Sequence, residues 1–160
     1  MNMKIMGAVA ALALLAACSD DKPMTTATAT GDSMQKTATG ITPGSQEDLV
    51  ANVGDRVFFA LDKSSLTSDD QATLDRQSAW LSKYASNNVQ IAGNCDERGT
   101  EEYNIALGQR RANGARDYLV AKGISSGRIT TISYGKDRPT ALGSTEEAWA
   151  QNRNAITSVK

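Results

Sequence analysis

Hydrophobic and polar positions divide the chain into three stretches. The first, from Ile5 to Leu15, is almost wholly apolar behind a single charge at Lys4, and it is too short to span a bilayer as a helix. The second, from Ser19 to about Gln46, is Ser, Thr, Ala, Gly and Asp with Pro23 and Pro43, and its large apolar residues (Met24, Met34, Ile41) are scattered. Such a stretch cannot bury a core. From Glu47 onward apolar residues recur with the periods of strands and helices, so one folded domain is expected over 47–160.

Within that domain Val57-Phe58-Phe59-Ala60-Leu61 is a short apolar run between Asp55 and Asp62 and reads as a strand. Thr67-Ser68-Asp69-Asp70 supplies a cap and first-turn acids to a helix whose Leu74, Leu81 and Tyr84 share one face. Val89-Gln90-Ile91-Ala92 alternates as a second strand, and a helix from about Glu101 to Lys122 stops at Gly123. Arg128 to Tyr134 is a third strand by its β-branched content. Ser144-Thr145-Glu146-Glu147 has the form of a capping box before a short helix, and Ala155 to Val159 closes the chain as a fourth strand. The order β-α-β-α-β-α-β predicts an α/β (α+β) fold with helices packed on a mixed four-stranded sheet.

Composition removes several chemistries. There is no histidine, so the usual general base, the His-activated nucleophile and the commonest zinc ligand are absent, and catalysis would fall on carboxylates alone. With 17 Lys+Arg against 18 Asp+Glu the formal charge is −1, or −2 once Lys4 is removed, and no global basic field draws nucleic acid. The two cysteines are Cys18 and Cys95. Cys95 reads as a small buried hydrophobe.

Cys18 follows Leu15-Ala16-Ala17 at the end of the first apolar stretch. Small residues at that point mark a secretory leader, and a Cys directly after Leu-Ala-Ala resembles the lipobox of bacterial lipoproteins. The resemblance implies that residues 1–17 are removed and that Cys18 carries S-diacylglycerol and N-palmitoyl groups, a covalent lipid and no other cofactor. Two or more chains give stable attachment. Ser19, where an Asp would favour the inner membrane, implies sorting to the cell outer membrane with the domain facing the periplasm. Residues 18–46 then form a tether of about 28 residues that reaches roughly 90–100 Å extended and about 30 Å relaxed. A passive linker of no required length is the alternative.

The second helix carries the site signal. At about 100° per residue, with Asn104 at zero, Ala115, Leu119, Ala112, Tyr118, Leu107 and Ile105 fall within roughly 100° and form an apolar stripe. Arg111 stands inside that stripe, nearly in line with Asn104, whereas Arg110, Arg116 and Asp117 point away from it. A buried guanidinium must be paired or hold an anion, because an unpaired buried charge costs several kcal/mol. The loop Asn94-Cys95-Asp96-Glu97-Arg98-Gly99-Thr100 leads into this helix, and Asp96 is the expected partner. A carboxylate and a guanidinium held together are complementary to a zwitterion, the first taking an ammonium and the second gripping a carboxylate. A structural Asp96–Arg111 pair with no ligand is equally consistent with the pattern.

Residues 93–120, Gly-Asn-Cys-Asp-Glu-Arg-Gly-Thr-Glu-Glu-Tyr-Asn-Ile-Ala-Leu-Gly-Gln-Arg-Arg-Ala-Asn-Gly-Ala-Arg-Asp-Tyr-Leu-Val, resemble the signature segment of peptidoglycan-associated lipoproteins, which carry an OmpA-like domain. The similarity runs from about Val57 to Val159 and takes in Ile132-Ser133-Tyr134-Gly135 and Ala148-Trp149-Ala150-Gln151-Asn152-Arg153. It implies an OmpA-like two-layer sandwich that binds peptidoglycan without covalent attachment, through the zwitterionic end of meso-diaminopimelate in the stem peptide. By motif, Asp96 and Arg111 take the ligand and Asn104 and Leu107 line the pocket, with Phe59 and Ala60 adding to it from the first strand. The implied partners are the peptidoglycan stem peptide, the outer membrane through the lipid anchor, and a periplasmic β-propeller protein of the Tol–Pal system, in support of outer-membrane constriction at cell division; nucleic acid is not among them. The chain departs from the commonest pattern at Ala60, where many members have Asp, at Asn94 and Ser144, where many have His, and at Asn154, where a second Arg is usual. Only the backbone at Ala60 can donate to a ligand.

Two other classes fit less well. A hydrolase using Asp96 and Glu97 as paired carboxylates needs them side by side, and adjacent residues at a strand end point apart. An RNA reader built on Arg110, Arg111 and Arg116 would have its charges fanned around a helix without interleaved aromatics. The expectation is a binding protein, not an enzyme.

Overall fold

The computed structural model describes residues 40–160. The expected leader, the lipid-bearing Cys18 and the tether as far as residue 39 lie outside the described residues. The described chain opens with a helical turn, α1 (Gln46–Asp48), which runs into a π-helical turn at Leu49–Val53. Then follow β1 (Arg56–Phe58), α2 (Ser68–Lys83), β2 (Val89–Asn94), α3 (Glu101–Ala121), β3 (Ile129–Gly135), α4 (Glu146–Asn152) and β4 (Asn154–Val159). The strands make one mixed sheet in the order β1-β4-β2-β3, with β2 and β3 parallel and β4 antiparallel to both β1 and β2. This is the predicted order of strands and helices with one helical turn added in front.

That first turn has Leu49, fully buried, and Val53 as its apolar anchors, too few to give a period. Contacts with the domain also begin before Glu47. The Gly44 N–H donates to Asp48 Oδ2 (2.8 Å), Asn87 Nδ2 to the Gly44 carbonyl (2.7 Å), and the Val159 N–H to Gln46 Oε1 (2.7 Å). Gly44 to Gln46, expected as tether, are thus hydrogen-bonded into the domain.

β1 is shorter than the run Val57 to Leu61 predicts. The chain turns immediately after it, with the Lys63 N–H closing onto the Ala60 carbonyl (3.1 Å) and Asp62 in the left-handed region at φ 58°. α2 starts where its cap predicts: Thr67 and Asp70 form a reciprocal capping box, and Asp70 Oδ1 also accepts the Phe58 N–H (3.0 Å), tying the helix start to β1. Leu74, Leu81, Ala112, Ala115 and Leu119 of α2 and α3 pack on Val57, Val89, Ile91, Ile129 and Ala155 of the sheet. Each fully buried Leu or Ile among them contributes about 1.5–3 kcal/mol. The alternate residues Gln90, Ala92, Tyr134, Ile156 and Ser158 line a groove on the opposite face.

α3 approaches the sheet most closely where Gly108 meets Gly93. A Cβ at Gly93 would overlap the Gly108 carbonyl, and one at Gly108 would overlap Ser133 Oγ. Only glycine permits this approach, and it sets Arg111, less than one turn further along, over the end of β2. Ile105, expected in the buried stripe, is 38% exposed. It stands at the edge of the stripe, in the first turns of α3, where it covers the turn at Gly135 instead of entering the core.

Candidate functional site

The site is built where β2 ends. Its pairing with β3 shifts register between Gly93 and Asn94, so that Asn94 pairs with Gly135, and the Cys95 N–H then donates to the Gly135 carbonyl (2.7 Å). Such a bulge redirects the chain and the side chains after it. The loop that follows is tied back to α3. Asn104 Nδ2 donates to the carbonyls of Arg98 (2.8 Å) and Thr100 (3.1 Å), Cys95 Sγ to the Asn104 carbonyl (3.3 Å), and Thr100 caps the helix by accepting the Tyr103 N–H (3.2 Å). Asn104 thus fixes the loop to the helix while standing at the cleft.

Asp96, Asn104, Leu107 and Arg111 line one narrow cleft of about 10 Å³, room for a single water, together with Leu61, Asp62, Arg98 and Arg153. Four of the residues singled out from the sequence are therefore brought together. Phe59 and Ala60 are not part of the cleft wall. They touch Arg111 instead, whose guanidinium lies 5.0 Å from the centre of the Phe59 ring and donates to the Ala60 carbonyl (3.2 Å).

The expected Asp96–Arg111 pair is not formed. Arg111, 1% exposed, donates from Nε to the Lys63 carbonyl (2.9 Å), from Nη1 to the Asn94 carbonyl (2.8 Å) and Cys95 Sγ (3.5 Å), and from Nη2 to Ala60. A guanidinium has five N–H groups, so one remains, and among the described residues no carboxylate is paired with this charge. Asp96, 4% exposed, is claimed by other arginines. Its Oδ1 accepts the Arg98 N–H and Nε (both 3.1 Å), and its Oδ2 accepts Arg98 Nη2 (2.6 Å) and Arg153 Nη1 (3.3 Å). The reason is proximity in the chain: Arg98 is two residues away, so pairing with it closes almost no loop, and the backbone N–H to carboxylate bond is the Asx turn that such a loop favours.

The electrostatics follow. Burial pushes the Asp96 carboxyl up, but the hydrogen bonds from Arg98 and Arg153 outweigh it and hold the group below the ordinary carboxylate value. Burial pulls the Arg111 guanidinium below its usual value, partly offset by Cys95 and Asp96, and it stays charged at any physiological pH. The cleft thus offers a carboxylate already in use and a guanidinium with no counter-ion among the described residues.

Arg98 and Arg153 are the site residues that sequence reasoning missed. Arg153, 7% exposed at the α4–β4 junction, also donates from Nε to the Phe59 carbonyl (3.0 Å) and from Nη2 to Glu146 Oε1 (2.7 Å). The signal was available for Arg98, since an Arg two residues after an Asp in a polar loop is a local partner. For Arg153 no periodicity marks it. Glu97 turns the other way, accepting Trp149 Nε1–H (3.0 Å), so Asp96 and Glu97 do not form a carboxylate pair. Among the described residues no cluster of His, Cys, Asp or Glu is placed to hold a metal ion.

The profile of the OmpA family matches residues 58–153. The chain is 46% identical over 155 residues to the peptidoglycan-associated lipoprotein of Mesorhizobium japonicum, covering 97% of this chain and 90% of that one. It is 55% identical over 116 residues to that of Rhizobium meliloti, covering 72% of this chain and 66% of the relative. Among solved structures, the peptidoglycan-associated lipoprotein of Burkholderia pseudomallei superposes with a TM-score of 0.64 at 40% identity, over 66% of this chain and 90% of that one. The C-terminal domain of Helicobacter pylori MotB shares the fold, with a TM-score of 0.62 at 18% identity.

Proposed function

Because the chain belongs to the OmpA family and, within it, to the peptidoglycan-associated lipoproteins, we propose that it binds peptidoglycan in the cell envelope and does so through meso-diaminopimelate in the Asp96–Arg111 cleft. The observation that carries the ligand assignment is Arg111: a buried guanidinium with no carboxylate partner among the described residues, sharing a cleft with a buried carboxylate. Arg111 receives the ligand's carboxylate and Asp96 its ammonium, while Leu107 and Leu61 flank the aliphatic stem. Asn104 holds the loop in place.

Further parts of the reading rest on sequence resemblance alone. Residues 1–17 are a leader, Cys18 carries the lipid that anchors the mature chain to the outer membrane, and the following residues let the domain reach the wall. The Tol-system β-propeller protein is the proposed protein partner, and support of outer-membrane constriction at division the proposed role. Cys18→Ala then gives an unlipidated periplasmic protein; retained palmitate labelling in that variant contradicts the anchor. Shortening residues 24–39 leaves stability unchanged but lowers cross-linking to the wall in cells, and an unchanged yield makes the linker passive.

The binding reading is tested by incubating the mature chain carrying Cys18→Ser with purified peptidoglycan. Co-sedimentation without release of soluble fragments is expected. Released muropeptides would instead indicate a hydrolase, a chemistry for which the cleft offers a carboxylate already bound to two arginines and a second one, Glu97, facing away.

A further inference from the structure

Arg98 supplies three of the four hydrogen bonds that Asp96 accepts, two of them from a bidentate fork onto both carboxylate oxygens. In the free protein its guanidinium therefore occupies the place assigned above to a ligand's ammonium. A ligand cation reaches Asp96 only by displacing that fork. Arg98 also has somewhere to go: its guanidinium lies 4.0 Å from the centre of the Trp149 ring and 3.8 Å from Glu146 Oε2, a carboxylate whose side chain is 61% exposed. Its own side chain is 34% exposed, against 5% for Asp96, so it can move while Asp96 stays buried. Released from Asp96, it remains on the Trp149 ring at the rim of the cleft it lines with Arg111.

We propose that Arg98 is a specificity-determining residue, an internal competitor that admits a ligand bearing an ammonium next to a carboxylate and rejects one bearing an ammonium alone. This rests on the cleft being the diaminopimelate site. A lone ammonium, such as a lysine side chain, exchanges a planar bidentate partner of Asp96 for a single-point one and leaves the freed guanidinium only the exposed Glu146 carboxylate, which Arg153 already holds, so it is a losing exchange. A zwitterionic end replaces the cation at Asp96 and brings a carboxylate to Arg98 and Arg111 together, so every charge is matched again. Selection arises from the penalty on the wrong ligand as much as from contacts to the right one.

The test titrates two synthetic stem tripeptides, L-Ala-D-Glu-meso-diaminopimelate and L-Ala-D-Glu-L-Lys, calorimetrically into the mature chain carrying Cys18→Ser. Its Arg98→Gln and Arg98→Lys variants are titrated alongside, each with its melting temperature recorded. Arg98→Gln should tighten the lysine peptide and shrink the preference for diaminopimelate by about tenfold or more, with Arg98→Lys in between. An unchanged ratio in both variants, or equal weakening of both peptides, overturns the proposal and makes Arg98 an ordinary contact. If Arg98→Gln fails to fold, Arg98→Lys decides, a narrowed ratio supporting and an unchanged one overturning. Failure of the unsubstituted chain to bind either tripeptide overturns the ligand assignment itself, an outcome distinct from normal diaminopimelate binding with a ratio insensitive to Arg98.

Discussion

Asp96 and Arg111 face one cleft and are buried to nearly the same degree, yet the fold treats them in opposite ways. Asp96 is held by side chains, chiefly Arg98 from its own loop. Arg111 is held by backbone: the carbonyls of Ala60, Lys63 and Asn94, drawn from two separate segments. Backbone carbonyls satisfy the N–H groups of a guanidinium without cancelling its charge, and they cannot rotate away. One wall of the cleft is thus fixed and positive, and the other is neutralised by a group that can leave. A site for a zwitterion needs both properties, a preorganised grip for the anion and a cation position that opens only in exchange.

This difference can be broken most severely at the fixed wall. Arg111→Met orphans three carbonyls and removes the contact with the Phe59 ring, so stability should fall by about 3 kcal/mol, a melting temperature lower by roughly 10 °C, with binding abolished. Arg111→Lys can satisfy some of those carbonyls but has no fork, and peptidoglycan affinity should fall about tenfold or more with a smaller thermal loss. A variant that melts lower but binds normally makes Arg111 purely structural.

Gly93→Ala attacks the same wall through the sheet. Its Cβ would run into the Gly108 carbonyl, so α3 must lift from β2, at a cost of about 2–3 kcal/mol in chemical denaturation and with weakened binding as Arg111 shifts. An alanine tolerated without loss would show that the close approach does not position the arginine.

The movable wall predicts a milder, pH-dependent effect. Because the folded Asp96 carboxyl titrates below its unfolded value of about 3.9, its pairing stabilises the fold above that pH and the contribution is lost as pH falls through the lower, folded value. Melting curves from pH 7 to 2.5 should show an acid-side decline that is shallower in Asp96→Asn, whose cost at neutral pH is about 1–2 kcal/mol. Identical acid limbs in the two proteins would contradict the pairing. The smallest effect is expected at Arg110, exposed on the helix face next to Arg111: Arg110→Lys should change stability by less than about 0.5 kcal/mol and leave binding unchanged.

The same two residues show what the sequence makes legible. Periodicity alone places Arg111 on a buried helix face, and caps and alternation locate α2, α3, β2, β3 and β4, because these signals are local. Which partner a buried charge takes is decided by the three-dimensional path of other segments. The carbonyls of Ala60 and Lys63 reach Arg111 only because the chain turns sharply after β1, and a turn centred on Asp62 in the left-handed region carries no hydropathy signal. Arg153 arrives from more than fifty residues away for the same kind of reason. Arg98 is legible in the sequence as a partner of Asp96, since a neighbour two residues distant competes better than any remote group, whereas the apolar stripe marks only Arg111. Ile105 shows the limit of the helical wheel: at the margin of the stripe in the first turns of α3 it meets the turn at Gly135 and not the core.

The central claim is that the zwitterionic end of diaminopimelate enters between these two walls. The most direct measurement is an amide-resolved NMR titration of the mature chain, carrying Cys18→Ser, with the diaminopimelate tripeptide. Saturable shifts confined to Ala60 to Lys63, Asp96 to Thr100, Asn104 to Arg111 and Arg153, with a midpoint about tenfold or more higher in Arg111→Lys, are predicted. Saturable shifts centred elsewhere, on the open sheet face at Gln90, Tyr134 and Ser158 or in the groove beside Leu142 and Trp149, would contradict it.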